Sequence, residues 1–148
     1  MNATASSAKI AWHFWAVAIF ALLWNAFGCY DYYMTNTVGD EYMASAGMTA
    51  DQIAYFNAKP AWLTAIWALG VWGGLAGAVL LLIRSKWAVE VFVVSFIAYV
   101  VSLIDAYILD PMEGGAGGAM MGMQAVIFAL CVFFIWYAKR AKKSGLLR

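Results

Sequence analysis

Residues 61–109 read AWLTAIWALGVWGGLAGAVLLLIRSKWAVEVFVVSFIAYVVSLIDAYIL, two apolar runs parted only by Arg84-Ser85-Lys86 and their flanks. A membrane-crossing helix needs roughly 20 mostly apolar residues to cover about 30 Å of hydrocarbon. Ala61–Leu82 and Trp87–Leu109 both qualify, and the short polar break between them makes a tight helical hairpin. Outward from this pair, residues 10–33 and 119–138 qualify as well, so the spans are 10–33, 61–82, 87–109 and 119–138. The expected fold class is an all-α membrane protein, a four-transmembrane-helix bundle in one domain over residues 1–148. Composition agrees: 66% of residues are hydrophobic and 11% charged, against about 45–50% and about 25% in ordinary globular chains.

The connections carry local signals. Asp110-Pro111 stops the third span and opens a Gly-rich loop that runs to Gly118. In the long connection from Thr35 to Pro60, Thr49-Ala50-Asp51-Gln52 reads as a capping box. It predicts a short interfacial helix in the first extracytoplasmic loop, ended before Pro60.

Charge placement sets the expected topology. Lys9, Arg84, Lys86 and the tail cations Lys139, Arg140, Lys142, Lys143 and Arg148 fall on one side, Lys59 alone on the other. Asp31, Asp40, Glu41, Asp51, Asp110 and Glu113 take the Lys59 side. By the positive-inside rule both termini are cytoplasmic, and Trp12, Trp15, Trp87 and Trp136 form the inner aromatic belt. Trp62, Tyr30, Tyr32 and Tyr107 form the outer one. The first span is too long for a cleaved signal, and no A-x-A site follows it.

A net charge of +1 argues against a nucleic-acid partner. Two cysteines without a CxxC exclude a disulfide scaffold and a zinc knuckle. Cys29 and Cys131 stand at different depths, about 16 Å apart by helix rise. No Walker loop, HExxH or GxSxG occurs. Neither an enzyme nor a cofactor is expected, and the expected partners are the lipid bilayer and a homo-oligomer or larger membrane complex.

Gly70, Gly73, Gly74 and Gly77 form overlapping small-xxx-small patterns on the second span, suited to close helix approach. They serve a neighbour in the same bundle or a dimer interface. Gly118 and Gly122 repeat the device more weakly on the fourth span. An offset of 74 positions aligns Asp31 with Asp105 and Tyr33 with Tyr107, which hints at a duplicated helical hairpin.

Ionisable groups inside a membrane are costly and are functional candidates by default. His13 and Glu90 each lie on the inner side of their spans, about 12 Å from the midplane. A pair between them is permitted; the alternative is that each reaches the interface independently. Asn25, Asp31 and Asp105 form a second polar set toward the outer side. His13, Trp24 and Asp31 share a face of the first span, and Glu90 and Asp105 lie within about 60° of each other on the third; these suggest polar stripes that face each other and line a solute path, or that tie the bundle together. Met120, Met121 and Met123 offer thioethers for Cu(I), although methionine is also a flexible gap-filler. The basic tail anchors topology and can attract anionic lipid.

The run Trp24-Asn25-Ala26-Phe27-Gly28-Cys29-Tyr30-Asp31-Tyr32-Tyr33-Met34-Thr35, with Pro60-Ala61-Trp62, Gly73-Gly74-Leu75-Ala76-Gly77 and Leu80-Leu81-Leu82-Ile83-Arg84, resembles a family of small proteobacterial four-span inner-membrane proteins. Members often carry the label "sugar transporter". The resemblance covers most of the chain and implies solute transport in a bacterial inner membrane, without established binding residues. Two functions follow: a non-catalytic scaffold or accessory subunit of a membrane complex, or a transporter of sugar-like solutes or cations. The transporter would be a homo-oligomer joined through the glycine face, with proton coupling at Glu90 and solute stacking on Trp24, Trp67 or Trp72.

Overall fold

The computed structural model describes residues 11–111 and 118–148. Lys9, Ile10, Met112 and Glu113, and the side chain of Met120, lie outside the described residues. Helix α1 runs Trp12–Thr37, α2 Asp40–Ser45, α3 Ala50–Asn57, α4 Ala61–Leu82, α5 Ala88–Ile104 and α6 Gly118–Lys143. A π-helical turn, Asp105–Leu109, extends α5. All regular structure among the described residues is helical, and four helices are long and apolar enough to cross a membrane. This is the architecture of a multi-pass integral membrane protein, since a helix satisfies its backbone hydrogen bonds internally where no water can.

The first connection holds two short helices where the sequence suggested one. The Thr49 capping box forms as expected: Gln52 N donates to Thr49 Oγ1 at 3.2 Å and Thr49 N donates to Gln52 Oε1 at 2.9 Å. Helix α2 precedes it, started by Gly39 at φ +79°, a left-handed conformation that suits glycine. Two outer helices also outrun their apolar segments. Helix α1 continues to Thr37 on its backbone ladder, and there the Asn36 and Thr37 side chains bond back to the carbonyls of Tyr32 and Tyr33. Helix α6 continues to Lys143 because its basic last turn complements the helix dipole.

The glycine stripe decides the packing. Helix α4 lies closest to α5 and to α1, while α6 packs on α5. A methyl placed on Gly77 would meet the Phe92 ring at 2.7–3.1 Å, and one on Gly74 would run into Asn25 Oδ1. Gly73 faces Ser95 and Gly70 faces Ser95 and Ala98. The stripe is therefore consumed inside the chain, which removes it as the surface for oligomerisation. Gly122 on α6 has open space around it and packs nothing here.

At the basic end an apolar core gathers Phe14, Ala18, Leu81, Phe92, Phe134 and Ala138. Phe92 and Phe134 stack at 5.8 Å, and Phe14 stacks on Tyr137 at 6.4 Å, joining α1 to α6. The α4–α5 connector begins with a Schellman cap: Ser85 N donates to Leu80 O at 2.7 Å and Arg84 N to Leu81 O at 3.0 Å. Arg84 sits at φ +62°, where glycine is usual, a conformation that costs about 1–2 kcal/mol with a Cβ present. The segment after α6 repays this by docking on the connector. Arg148 N donates to Arg84 O at 2.8 Å, Lys86 N donates to Arg148 O at 3.1 Å, and Arg84 Nε donates to Leu146 O at 2.9 Å.

Candidate functional site

The polar residues marked by the sequence separate into three groups. At the basic end, His13 Nδ1 and Tyr137 OH are 2.6 Å apart, and Lys142 Nζ donates to Glu90 Oε1 at 3.2 Å. His13 and Glu90 do not pair with each other; each turns toward α6, and both are exposed. The reason is azimuthal. Matching depth places two residues on one level, but the direction of each side chain is set by which helix packs beside it.

Near mid-span, Asn25 Nδ2 donates to Ala21 O at 2.7 Å while its Oδ1 rests against Gly74. Ser95 Oγ donates to Gly70 O at 2.6 Å and Cys29 Sγ to Val71 O at 3.3 Å. Tyr99 OH donates to Gln124 Oε1 at 2.5 Å, tying α5 to α6. The Asn25 bond returns to its own helix, while those of Ser95, Cys29 and Tyr99 are interhelical bonds of the kind that holds helices together in lipid. Ser95 and Gln124 carry no sequence expectation, and Cys29 carries one only for its distance from Cys131. A hydroxyl or thiol one turn from a glycine on a facing helix is the signal that finds such bonds, and it needs the pairing of helices to be known.

At the acidic end, Lys59 Nζ donates to Asp105 Oδ2 at 2.6 Å and to Asp110 Oδ2 at 2.9 Å. The Lys59 and Asp105 side chains are each 11% exposed. Lys59 also lies 4.3 Å from the centroid of the Tyr55 ring, and Tyr55 OH donates to Asp110 O at 2.7 Å. The π-helical turn serves this site. Pro111 stops the α-helical ladder, Asp110 N bonds to Asp105 O at 2.8 Å, and both carboxylates reach one ammonium. Burial alone would lower the pKa of Lys59, but hydrogen bonds with Asp105, Tyr55 and Asp110 outweigh it and hold the ammonium above the ordinary lysine value. In the sequence Lys59 stands out as the lone cation on the acidic side, but not as the partner of Asp105 and Asp110.

Asp31 is used in a parallel way. Tyr42 OH donates to Asp31 Oδ1 at 2.8 Å, pinning α2 to α1. The two carboxylates aligned by the 74-residue offset thus both anchor the first connection, through different donors. Burial and the hydrogen bond to Asp31 push the Tyr42 phenol up to about 12. A raised phenol pKa means the folded state holds the proton more tightly. Its stabilising share is present below the ordinary value of 10.0 and is lost as pH climbs from there to about 12. Tyr42→Phe should cost about 1 kcal/mol and remove one late tyrosine step, near pH 12, from an ultraviolet titration.

Asn25, Asp31 and Asp105 consequently do not converge. The stripes on the first and third spans do not face each other across a path; both helices lean on α4. Open surface depressions among the described residues include two of similar size. One, of about 480 Å³, lies between α2 and α3, and one, of about 450 Å³, lies between the outer parts of α5 and α6. Neither lies between α1 and α5. Trp67 packs edge-on to Tyr32 at 5.0 Å, Trp24 lies against Phe20 at 6.2 Å, and Trp72 is exposed on the outside of α4. Met121 and Met123 are both exposed, and two residues along a helix is about 200° of rotation. They point apart, so the pair cannot chelate one copper ion. Among the described residues no group of three His, Cys, Asp or Glu side chains converges as metal ligands. Compared with known proteins, the chain matches no family model, no curated protein and no solved structure.

Proposed function

We propose that this protein is a non-enzymatic scaffold or accessory subunit of a complex in the bacterial inner membrane, with its basic end toward the cytoplasm. The observation that carries the reading is that the intramembrane polar groups are spent on holding the chain together. Asp105 is paired with Lys59, Glu90 with Lys142, and the Asn25 amide and Ser95 hydroxyl with helix carbonyls. A coupled transporter needs an ionisable group that reaches both a solute and water near the midplane. A four-span chain also needs partners for alternating access, and the glycine stripe best suited to recruit them is covered by Asn25, Ser95 and Phe92.

The test is proton flux in proteoliposomes, wild type beside Glu90→Gln, with a panel of sugars and cations outside. The expected result is no solute-dependent flux from either protein. In native membranes, the chain should migrate in an assembly larger than the purified protein forms alone, with cross-links to the same partner in repeated preparations. Solute-dependent flux that disappears in Glu90→Gln would overturn the scaffold reading in favour of a proton-coupled transporter.

A further inference from the structure

Arg84, Lys86 and Arg148 join the four basic residues within Lys139–Lys143 at one end of the bundle, where Glu90 is the only acidic residue in the sequence. Like charges on mobile segments move apart unless something holds them. Here the chain turns at Gly145, φ +87°, and runs back over the α4–α5 connector. Three hydrogen bonds of 2.8–3.1 Å fix it there, and Leu147, 6% exposed, plugs into the apolar core. Arg84 holds its left-handed conformation to accept one of these bonds through its carbonyl and donate another through Nε.

The fold therefore brings three cations together from two distant parts of the sequence. Glu90 feels the charge of Lys86, but its hydrogen-bonded partner is Lys142, so this one carboxylate is shared and the cluster keeps an excess of positive charge. Lys86 and Arg148 have exposed side chains, and Lys86 Nζ lies 5.9 Å from the centroid of the exposed Trp87 ring. Arg140 lies over Trp136 in a similar way, at 5.5 Å. Tryptophans at the ends of membrane spans, as Trp87 and Trp136 are, mark the level of lipid headgroups. At that level the counter-charge available to a membrane protein is the phosphate of an anionic lipid.

We propose that the docked segment Leu146–Arg148 and the connector Arg84–Lys86 together form a binding site for the phosphate headgroup of an anionic phospholipid. The docked segment separates this site from a diffuse basic belt, because without it Arg148 is free of Arg84 and Lys86. Lipid and segment then support each other: the headgroup offsets the repulsion that docking creates, and docking gathers the charges that hold the headgroup. This goes beyond the scaffold reading and stands whichever way the flux experiment falls.

The experiment uses the full chain in nanodiscs of phosphatidylcholine and phosphatidylglycerol, with the lipids retained by the protein counted by native mass spectrometry. Lys86→Gln with Arg148→Gln is compared with Lys139→Gln with Lys143→Gln, which removes the same charge. Leu147→Ser releases the docked segment and keeps every cation. Wild type should favour phosphatidylglycerol. The first pair should lower that preference by about 25-fold, at about fivefold per charge, and the second pair by only a few-fold. Leu147→Ser should fall toward the first pair with its helical circular dichroism intact. Hydrogen exchange at the Lys86 and Arg148 amides should slow when phosphatidylglycerol is present and not with inorganic phosphate in detergent. Equal losses in the two charge pairs, no lipid preference in wild type, full preference in Leu147→Ser, or protection by inorganic phosphate alone would each overturn the proposal.

Discussion

Gly77→Val should destabilise the bundle by about 3 kcal/mol, at the upper end of what overpacking costs in a filled core. A single methyl at this position already meets three atoms of the Phe92 ring at 2.7–3.1 Å. The ring has nowhere to retreat, because Phe92 is buried and stacked on Phe134. The second branch of valine adds to the clash, and α4 must separate from α5 to relieve it. Thermal unfolding in a mild detergent, followed by helical circular dichroism, measures the loss. Gly122→Ala is the control: nothing lies within 4 Å of its added methyl, so it should leave the melting temperature unchanged or raise it slightly. A Gly77→Val protein that melts with wild type would mean that the glycine stripe is not the close α4–α5 contact.

Lys59→Met should cost about 2–4 kcal/mol, since removing one member of a largely buried ion pair strands the other charge. Asp105, 11% exposed, would lose its cation, and Asp110 would lose it too. Asp105→Leu should cost less, because Lys59 keeps Asp110 as a partner. The double variant should recover much of the loss, as well-packed apolar replacements of a buried pair often do. Protease cleavage between α2 and α3 should speed up in Lys59→Met, since Lys59 ties that connection to α5. The pH dependence has a definite sign. The folded pKa of Lys59 is raised, so its contribution is whole below the ordinary value of 10.5 and is lost only as pH rises through the higher folded value. The gap between wild type and Lys59→Met should therefore hold steady from neutral pH to about 10. The Tyr42 contact should weaken first, as pH climbs from 10.0 toward about 12.

The parts of this protein legible in its sequence are those governed by neighbours along the chain. The span at Ala61–Leu82 was located to the residue, and the third span differs by one residue at its start. The capping box at Thr49 formed with both of its bonds. Helix ends were less legible. Helices α1 and α6 continue past their apolar runs because backbone hydrogen bonding does not stop where hydrophobicity does. Helix α2 escaped notice because six residues, Asp40–Ser45, carry too short a pattern to be read. The polar candidates were legible as a set and not as partners.

The number and order of the apolar helices long enough to cross a membrane, and the gathering of cations at one end, were determined by the sequence by itself. Transfer of apolar segments into hydrocarbon depends on composition and length, and both can be counted along the chain. Only the tertiary structure decided which partner each polar group takes: Lys59 for Asp105, Tyr42 for Asp31, Lys142 for Glu90, Tyr137 for His13. It alone decided that the glycine stripe faces inward and that Arg148 returns to Arg84. Each residue turns a helix by about 100°, so a small change in helix rotation hands a side chain to a different neighbour. That rotation is fixed by close packing between segments far apart in the chain, such as Asn25 and Phe92 against the glycines of α4.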